Sequence, residues 1–519
     1  MQRIGRRTFL KRLIGAGAFG GVVLGSSEVA YWLRRATWQR TPRTRLVLLG
    51  TVVTFQPEAP VIEHGAIYLD EQGRIAAVQL ARASAPPGYG TAPRVETGGM
   101  IYPGLIDLHN HPYSDLHGLW TPPRTTPFTS RSQWRAEATF EEDFQSISVY
   151  WQYAEEAALK YVEMKALVGG VTTLQGLGLT TPPREGWLVR HVEEERQSGV
   201  PVAADFVDLP EVPDPYALFR QTMARGTTVI YHLAEGSAPA LRSDFKALYQ
   251  QGCVGPRFIG IHATALSAEQ FQRWGTRGGT LVWSPLSNLW LYGQTTDVAA
   301  ARQAGLRICL GPDWSVSGSK NLLGELKVAD LWNQHHLNGL FTDQELCQMV
   351  TSNAADALGL ADRIGRIRPG LCADLLVLST RHADPYRNLI ESTEAHVLLV
   401  IADGRVRYGT PELVGAARAL NVEPVRVGGA DRAISLPDPT VPSAILSWSD
   451  VVTTLERLRA LQHLRAWIPL FPHGALTSLD PLAPDEQYFQ TLAAAPIPGA
   501  ALKGLREYYA RRPIGSATG

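Results

Sequence analysis

The sequence predicts an α/β protein, a distorted (β/α)8 barrel of the TIM type flanked by a small β-sandwich to which both ends of the chain contribute. Three observations carry this expectation. Between residues 99 and 363 short apolar runs alternate with helical patterns, as they do where βα units build a parallel sheet. Before and after that region, at 45–98 and 364–415, short β-branched runs alternate with turn residues instead. A chain of 519 residues with 45% hydrophobic content is also long enough for one large domain of about 250–300 residues and a smaller body beside it.

Residues 1–30 precede any globular pattern. Gly5-Arg6-Arg7-Thr8-Phe9-Leu10-Lys11 puts paired arginines ahead of an apolar run from Leu13 to Ser27, free of charge until Glu28. This resembles a twin-arginine export signal, so the expectation is an exported, periplasmic or extracytoplasmic protein with the twin-arginine machinery as a partner. The run is shorter than the roughly 20 residues of a spanning helix and suits the apolar region of a signal. Glu28 sits three back from the candidate boundary after Ala30 and spoils a clean small-x-small cleavage site, so an uncleaved anchor attached to the membrane is the second reading.

The first β-unit reads from Leu46–Leu49, Val52–Phe55, Ala66–Leu69 and Gly73–Val78. Its texture returns in Ala373–Leu378 and His396–Ile401, followed by the Asp403-Gly404 turn. Neither piece has strands enough for its own core, hence the composite sandwich. For the barrel the candidate strands are Met100–Asp107, Val171–Leu174, Val202–Phe206, Thr228–His232, Phe258–His262, Thr280–Ser284 and Leu306–Gly311. An eight-stranded barrel needs one more, and the interval from Phe206 to Thr228 holds only a helix, so one strand is short, irregular or absent. Residues 416–519 form an extension with a helical stretch around Val451–Trp467 and no evident chemistry.

Composition excludes some roles. Lys+Arg and Asp+Glu balance at 49 each, with no long single-sign run, so nothing points to a nucleic-acid partner. Cys253, Cys309, Cys347 and Cys372 lack the close spacing of a thiolate metal site or a disulfide framework and read as ordinary buried thiols.

The chemistry sits at strand ends. His109 and His111, two apart at the close of an apolar strand, share a face and point into one barrel mouth, where (β/α)8 enzymes build their sites. Three more strands end alike: Thr228–His232 runs into Leu233-Ala234-Glu235, Phe258–Ile261 ends in His262, and Arg307–Pro312 ends in Asp313. A lone buried histidine or aspartate is more often a satisfied core residue. Neutral imidazoles and a carboxylate converging on one mouth need a compensating charge, and a divalent metal supplies it.

Taken together, Pro103–His111, Gly170-Val171-Thr172-Thr173, His232–Glu235, His262-Ala263, Ser284–Asn288, Gly311-Pro312-Asp313 and Ile364–Leu375 resemble the amidohydrolase superfamily in order and spacing, over roughly Leu46 to Gly409. The His-x-x-Glu after the strand is similar to the branch with triazine hydrolases and cytosine deaminase. The resemblance implies His109, His111, His232 and Asp313 as metal ligands and Glu235 as the proton-shuttling acid/base. It implies His262 as the histidine that polarises substrate or attacking water, with Asp313 sharing the proton task. Zn²⁺ is the implied ion, Fe²⁺ the other that suits these ligands. Two-metal members bridge their ions with a carboxylated lysine on a mid-barrel strand; Ala166 to Tyr231 contains no lysine, so one metal is expected unless a glutamate bridges.

The function implied is hydrolysis of a carbon–nitrogen bond other than a peptide bond. Activated water attacks an sp² carbon of a small-molecule amide, lactam or aminated heterocycle. Deamination of a heterocyclic amine is the alternative within the same chemistry. A catalytically silent binding protein on the same barrel is the alternative from another class, against which Glu235 argues, because a silent binder has no use for a shuttle. Trp120, Trp290, Tyr292 and Trp314 fall in or near strand-end loops, either as pocket lining or as loop anchors.

Overall fold

A computed structural model of the chain describes residues 43–112, 114–120, 126–138, 140, 147–176, 188–193, 202–436 and 447–460. The segment 1–30, expected as an export signal or anchor, and the extension beyond residue 460 including Trp467, lie outside the described residues. Among the described residues no helix is long and apolar enough to cross a membrane.

Four strands open the fold: β1 (Leu46–Val53), β2 (Val61–Leu69), β3 (Ile75–Leu80) and β4 (Arg94–Pro103). Eight short strands follow: β5 (Leu105–Asp107), β6 (Val171–Leu174), β7 (Arg190–His191), β8 (Ala203–Phe206), β9 (Thr228–Leu233), β10 (Phe258–His262), β11 (Thr280–Trp283) and β12 (Arg307–Leu310). The last group is β13 (Leu375–Ser379), β14 (Val397–Ala402), β15 (Arg405–Gly409), β16 (Val422–Val427) and β17 (Ala430–Ser435).

The two ends of the chain do combine, but not as the expected sandwich. Their strands form one continuous nine-stranded sheet in the order β16-β17-β15-β14-β13-β4-β1-β2-β3, and two facing layers are not shown. The join is the antiparallel ladder between β13 and β4, Leu375 opposite Pro103 through Ser379 opposite Gly99. The sheet also runs past the expected boundary at 415, because β16 and β17 add a hairpin to its edge. Their turn, Gly428-Gly429, has positive φ at both residues, the conformation a two-residue hairpin requires.

β5 to β12 are the central strands, all paired in parallel. They lie in two sheets, β12-β11-β10-β9-β8 and β5-β6-β7. An isolated parallel bridge, Asn110 to Asp313, joins the sheets at one seam; between β7 and β8 no ladder is present among the described residues, so the ring is not closed. The architecture shown is therefore an α/β fold with parallel sheets.

Two expectations change in detail. Met100–Asp107 is not one strand: at Pro103-Gly104 the chain leaves the nine-stranded sheet and enters the parallel layer. Gly104 is required there, since a Cβ would lie 2.2 Å from the Thr172 hydroxyl oxygen. The interval Phe206–Thr228 indeed holds a helix, Pro215–Ala224, and the strand not identified in the sequence is β7, earlier in the chain and two residues long. Helix Trp448–Ala460 packs Val451 and Leu455 against Tyr150 and Val162 of helix Ile147–Val168, and Trp448 stacks on Tyr161 at 5.5 Å. The four cysteines are buried and free, as expected.

Candidate metal centre and active site

The five strand-end residues meet. His109 Nε2 lies 3.0 Å and His111 Nε2 3.1 Å from Asp313 Oδ1, and His232 Nε2 lies 3.3 Å from His111 Nε2. Ligand atoms about 2.0–2.2 Å from one tetrahedral ion sit roughly 3.3 Å apart. The donor set therefore fits a single first-row divalent ion. A second observation agrees: His109 is fully buried, its Nδ1 has no hydrogen-bond partner, and its Nε2 faces Asp313 Oδ1 without forming a well-aligned hydrogen bond, a costly state for a polar group unless an ion takes one of them.

Local sequence explains how the ligands are presented. The Asp107 carboxylate, at the end of β5, accepts from the His109 amide at 3.0 Å and from Asn110 Nδ2 at 2.9 Å, clamping the turn that carries His109 and His111. His232 is the penultimate residue of β9, His262 the last of β10, and Asp313 follows β12. Ala234, His262, Ala263 and Asp313 all have positive φ, from 44° to 70°. Non-glycine residues in this region carry strain that a fold keeps chiefly where the side chain must be aimed. Below the mouth, buried Lys165 pairs with Asp115 at 2.5 Å, and Asp115 accepts from the Ser315 amide at 2.7 Å. That network ties the loop after His111 to the loop after Asp313.

His262 sits beside the ligands with a readable tautomer. Asn288 Nδ2 donates to His262 Nδ1 at 2.9 Å; the Asn288 oxygen is the atom facing the Thr295 and Thr296 hydroxyls, at 3.4 and 3.3 Å. Nδ1 is thus the acceptor and Nε2 carries the hydrogen. That N–H has no partner, lies 3.9 Å from Glu235 Oε2 and 4.0 Å from Asp313 Oδ2, and faces the open side of the centre. A protonated Nε2 donates rather than ligates.

Glu235 lies just past β9, its side chain almost entirely buried. Tyr292 Oη donates to its Oε1 at 2.5 Å, Arg131 Nη1 is 3.5 Å from Oε2, and Oε2 has no hydrogen-bond partner. Burial pushes this carboxyl up to about 7 against the pull of Arg131, a value suited to proton transfer at neutral pH. Burial lowers His232 and His262 well below the usual imidazole range, helped by the neighbouring imidazoles, so both stay neutral. Burial alone would raise Asp313, but His109, His111 and His262 together outweigh it and hold that carboxyl well below its usual range.

The centre opens into a cavity of about 700 Å³. Trp314, Trp134 and Phe140 line it, with Trp134 and Phe140 edge-to-face at 4.8 Å and Trp314 5.4 Å from the His111 ring. Arg131, Arg135 and Asp208 supply charge to its lining, with Asp208 paired to both arginines. Of the four aromatics singled out in the sequence, only Trp314 lines the cavity. Trp290 and Trp120 are buried in the layer behind it, where Trp290 Nε1 donates to the Trp120 carbonyl at 2.8 Å. Tyr292 holds Glu235.

Sequence reading missed Arg131, Trp134, Phe140, Ser287, Asn288 and Asp205. Ser287 and Asn288 lie inside a motif already quoted, Ser284–Asn288, and the Pro285 helix start that follows β11 was the available signal. Asp205, on β8, has a buried Oδ1 without a hydrogen-bond partner, and its charge acts on His111 and His109. It lies in the interval Ala166 to Tyr231, whose lack of lysine is the ground for expecting one metal.

Comparison with known proteins shows what the chain as a whole is similar to. The amidohydrolase family matches residues 219–408. A 5-methylthioadenosine/S-adenosylhomocysteine deaminase of Syntrophobacter fumaroxidans is 26% identical over 405 residues, covering 70% of this chain and 90% of its own. Among solved structures, an atrazine chlorohydrolase of Arthrobacter aurescens TC1 complexed with zinc is 17% identical with a TM-score of 0.54, covering 70% of this chain and 94% of its own. An adenosine deaminase of Xanthomonas campestris with bound zinc is 21% identical with a TM-score of 0.54, covering 73% and 98%. At these identities the structural likeness is one of fold.

Proposed function

We propose, from the premise that the chain belongs to the amidohydrolase superfamily and hydrolyses carbon–nitrogen bonds other than peptide bonds, that it holds one Zn²⁺ and deaminates or deamidates a planar, partly aromatic small molecule. The observation that carries this is the pairing of a four-atom ligand set with two buried groups beside it that make no hydrogen bond, Glu235 Oε2 and His262 Nε2–H.

His109, His111, His232 and Asp313 would hold the ion. When bound, a divalent ion acts as a Lewis acid and brings the pKa of water from 15.7 toward about 7. Glu235 Oε2 takes the proton of the attacking water and returns it to the leaving nitrogen, so the C–N bond breaks with a neutral amine or ammonia departing. His262 donates from Nε2 to the atom on which charge develops at the reacting carbon, and Asn288 keeps that hydrogen in place. Trp134, Phe140 and Trp314 stack on the planar part of the substrate and exclude water, while Arg131, Arg135 and Asp208 meet its polar end. The relatives' names favour deamination over amide hydrolysis. The zinc of the solved relatives favours Zn²⁺ over Fe²⁺. The distorted eight-stranded barrel is the arrangement we infer for β5 to β12, and export through the N-terminal arginines remains part of this proposal.

The test is ammonia release by zinc-loaded protein from a panel of aminated heterocycles, lactams and amides. Turnover of an aminated heterocycle that is lost on chelation supports the proposal. Absence of turnover across the panel with a full metal complement counts against it.

A further inference from the structure

We propose that Tyr292 is the positioning residue that selects which oxygen of Glu235 handles the proton, and that Trp134 extends this hold to the helix Arg131–Arg135. The inference rests on the reading of Glu235 as the proton-transfer group.

With Glu235 ionised, the direction of every bond in this chain is set. An indole N–H only donates, so the Trp134 Nε1 contact to Tyr292 Oη, at 2.8 Å, makes the phenol oxygen an acceptor there. The phenol has one hydrogen, and it goes to Glu235 Oε1 at 2.5 Å. Oε1 is thereby occupied, and Oε2 is left as the buried oxygen without a hydrogen-bond partner, 3.5 Å from the Arg131 guanidinium and on the side of His262. Tyr292 itself is buried at the last position of helix Pro285–Tyr292, before Gly293 turns the chain with φ +66°, so the phenol has little freedom to swing away. Burial and the adjacent carboxylate push its ionisation far above the usual phenol range, which keeps it a donor.

Trp134 brings in a second element. Its helix is pinned to the loop that carries Glu235: the Ser237 and Ala238 amides both donate to the Thr129 carbonyl, at 3.0 and 3.1 Å, and Ser130 bridges Gly236. The same helix presents Arg131 to Oε2 and Arg135 to the cavity. Seating of this helix over the cavity and orientation of the proton-transfer carboxylate are therefore one event. A general base must meet the proton it takes at hydrogen-bond distance. A carboxylate freed to rotate loses that alignment without losing its chemistry, which separates the role of Tyr292 from that of a catalytic residue.

The test compares Tyr292→Phe, Glu235→Gln and the double variant in the zinc-loaded full chain, with the compound that releases ammonia in the panel above. A hydrogen bond to a charged group supports a fall in kcat of about 10–100-fold for Tyr292→Phe, with KM and metal content unchanged. The double variant should be no slower than Glu235→Gln alone, because the phenol acts only through that carboxylate. A readout independent of turnover is infrared difference spectroscopy: the Glu235 carboxyl band, identified by its loss in Glu235→Gln, should shift in Tyr292→Phe. Trp134→Phe should shift it in the same direction by less and serves if Tyr292→Phe does not fold. An unshifted band in these variants, or additive losses in the double variant, would overturn the inference. Full activity in Glu235→Gln would instead overturn the shuttle reading, and a dead Glu235→Gln beside a fully active Tyr292→Phe would overturn only the positioning role.

Discussion

Replacing Ser287 with alanine should weaken metal binding while leaving the fold intact. Asp313 offers Oδ1 to the centre and turns Oδ2 toward Ser287 Oγ, which donates to it at 2.6 Å with both residues buried. The orientation of that hydroxyl is set from behind. Trp314 Nε1 donates to Ser317 Oγ at 2.6 Å, so the Ser317 hydrogen is free for Ser287 at 2.9 Å, and the Ser287 hydrogen goes to the carboxylate. A hydrogen bond to a charged group is worth about 1.5–3 kcal/mol, or roughly 10–150-fold in an affinity. That agrees with the 10–100-fold typical of groups that orient a metal ligand. Alanine is smaller than serine and favourable in a helix, so no clash is introduced. The assay is competition for Zn²⁺ with a chromophoric chelator, alongside a thermal melt of the metal-free protein. Unchanged zinc affinity would refute the reasoning, as would a variant whose metal-free form melts far below the parent, since the loss would then come from packing.

Glu235→Gln should keep the metal and lower turnover by about 10²–10⁴-fold, whereas His232→Ala should lose both, checked by elemental analysis beside the ammonia assay. Asn288→Ala removes the donor that fixes the tautomer of His262 and should lower kcat with metal content unchanged; a variant that binds less metal would show His262 to be a ligand. Glu325 provides a pH signature of stability. Burial pushes its carboxyl from the usual 4.5 up to about 8, so the folded state holds a proton that the unfolded state has released. The stabilisation is fully present below about 4.5 and is lost as pH rises toward 8. Urea midpoints measured from pH 5 to 8 should fall less steeply for Glu325→Gln than for the parent, and parallel curves would contradict this.

Much of the site was legible because strand-end placement is a strong constraint. His109, His111, His232, His262 and Asp313 each close an apolar run, and a parallel layer brings such ends to one side, whatever the loops do. The single-metal expectation rested on an absence in the sequence, and Asp205 now stands in the same interval. What stayed hidden depends on partners far apart in sequence. Arg131 and Trp134 come from a short helix whose pattern says nothing about its seat over Glu235. Tyr292 reads as one more aromatic in an apolar helix until its hydroxyl is placed. The strand β7 was missed since two residues, Arg190 and His191, carry no period to detect. That the sandwich is not shown has a related reason: alternating runs reveal strands and their faces, not whether those strands join edge to edge or stack. Here the β13–β4 ladder joins them edge to edge. The hairpin at 422–435 was hidden by polar residues, among them Glu423, Arg426, Asp431 and Arg432, which break the alternation.

The division between an ion held by four residues and a carboxylate that moves protons beside it is tested most directly by diffraction at the zinc edge from crystals of the zinc-loaded protein. One anomalous peak per chain is expected, about 2.0–2.2 Å from His109 Nε2, His111 Nε2, His232 Nε2 and an Asp313 oxygen, with Glu235 Oε2 and His262 Nε2 outside bonding distance. A second peak near Asp205, or Glu235 or His262 within bonding distance of the ion, would contradict it.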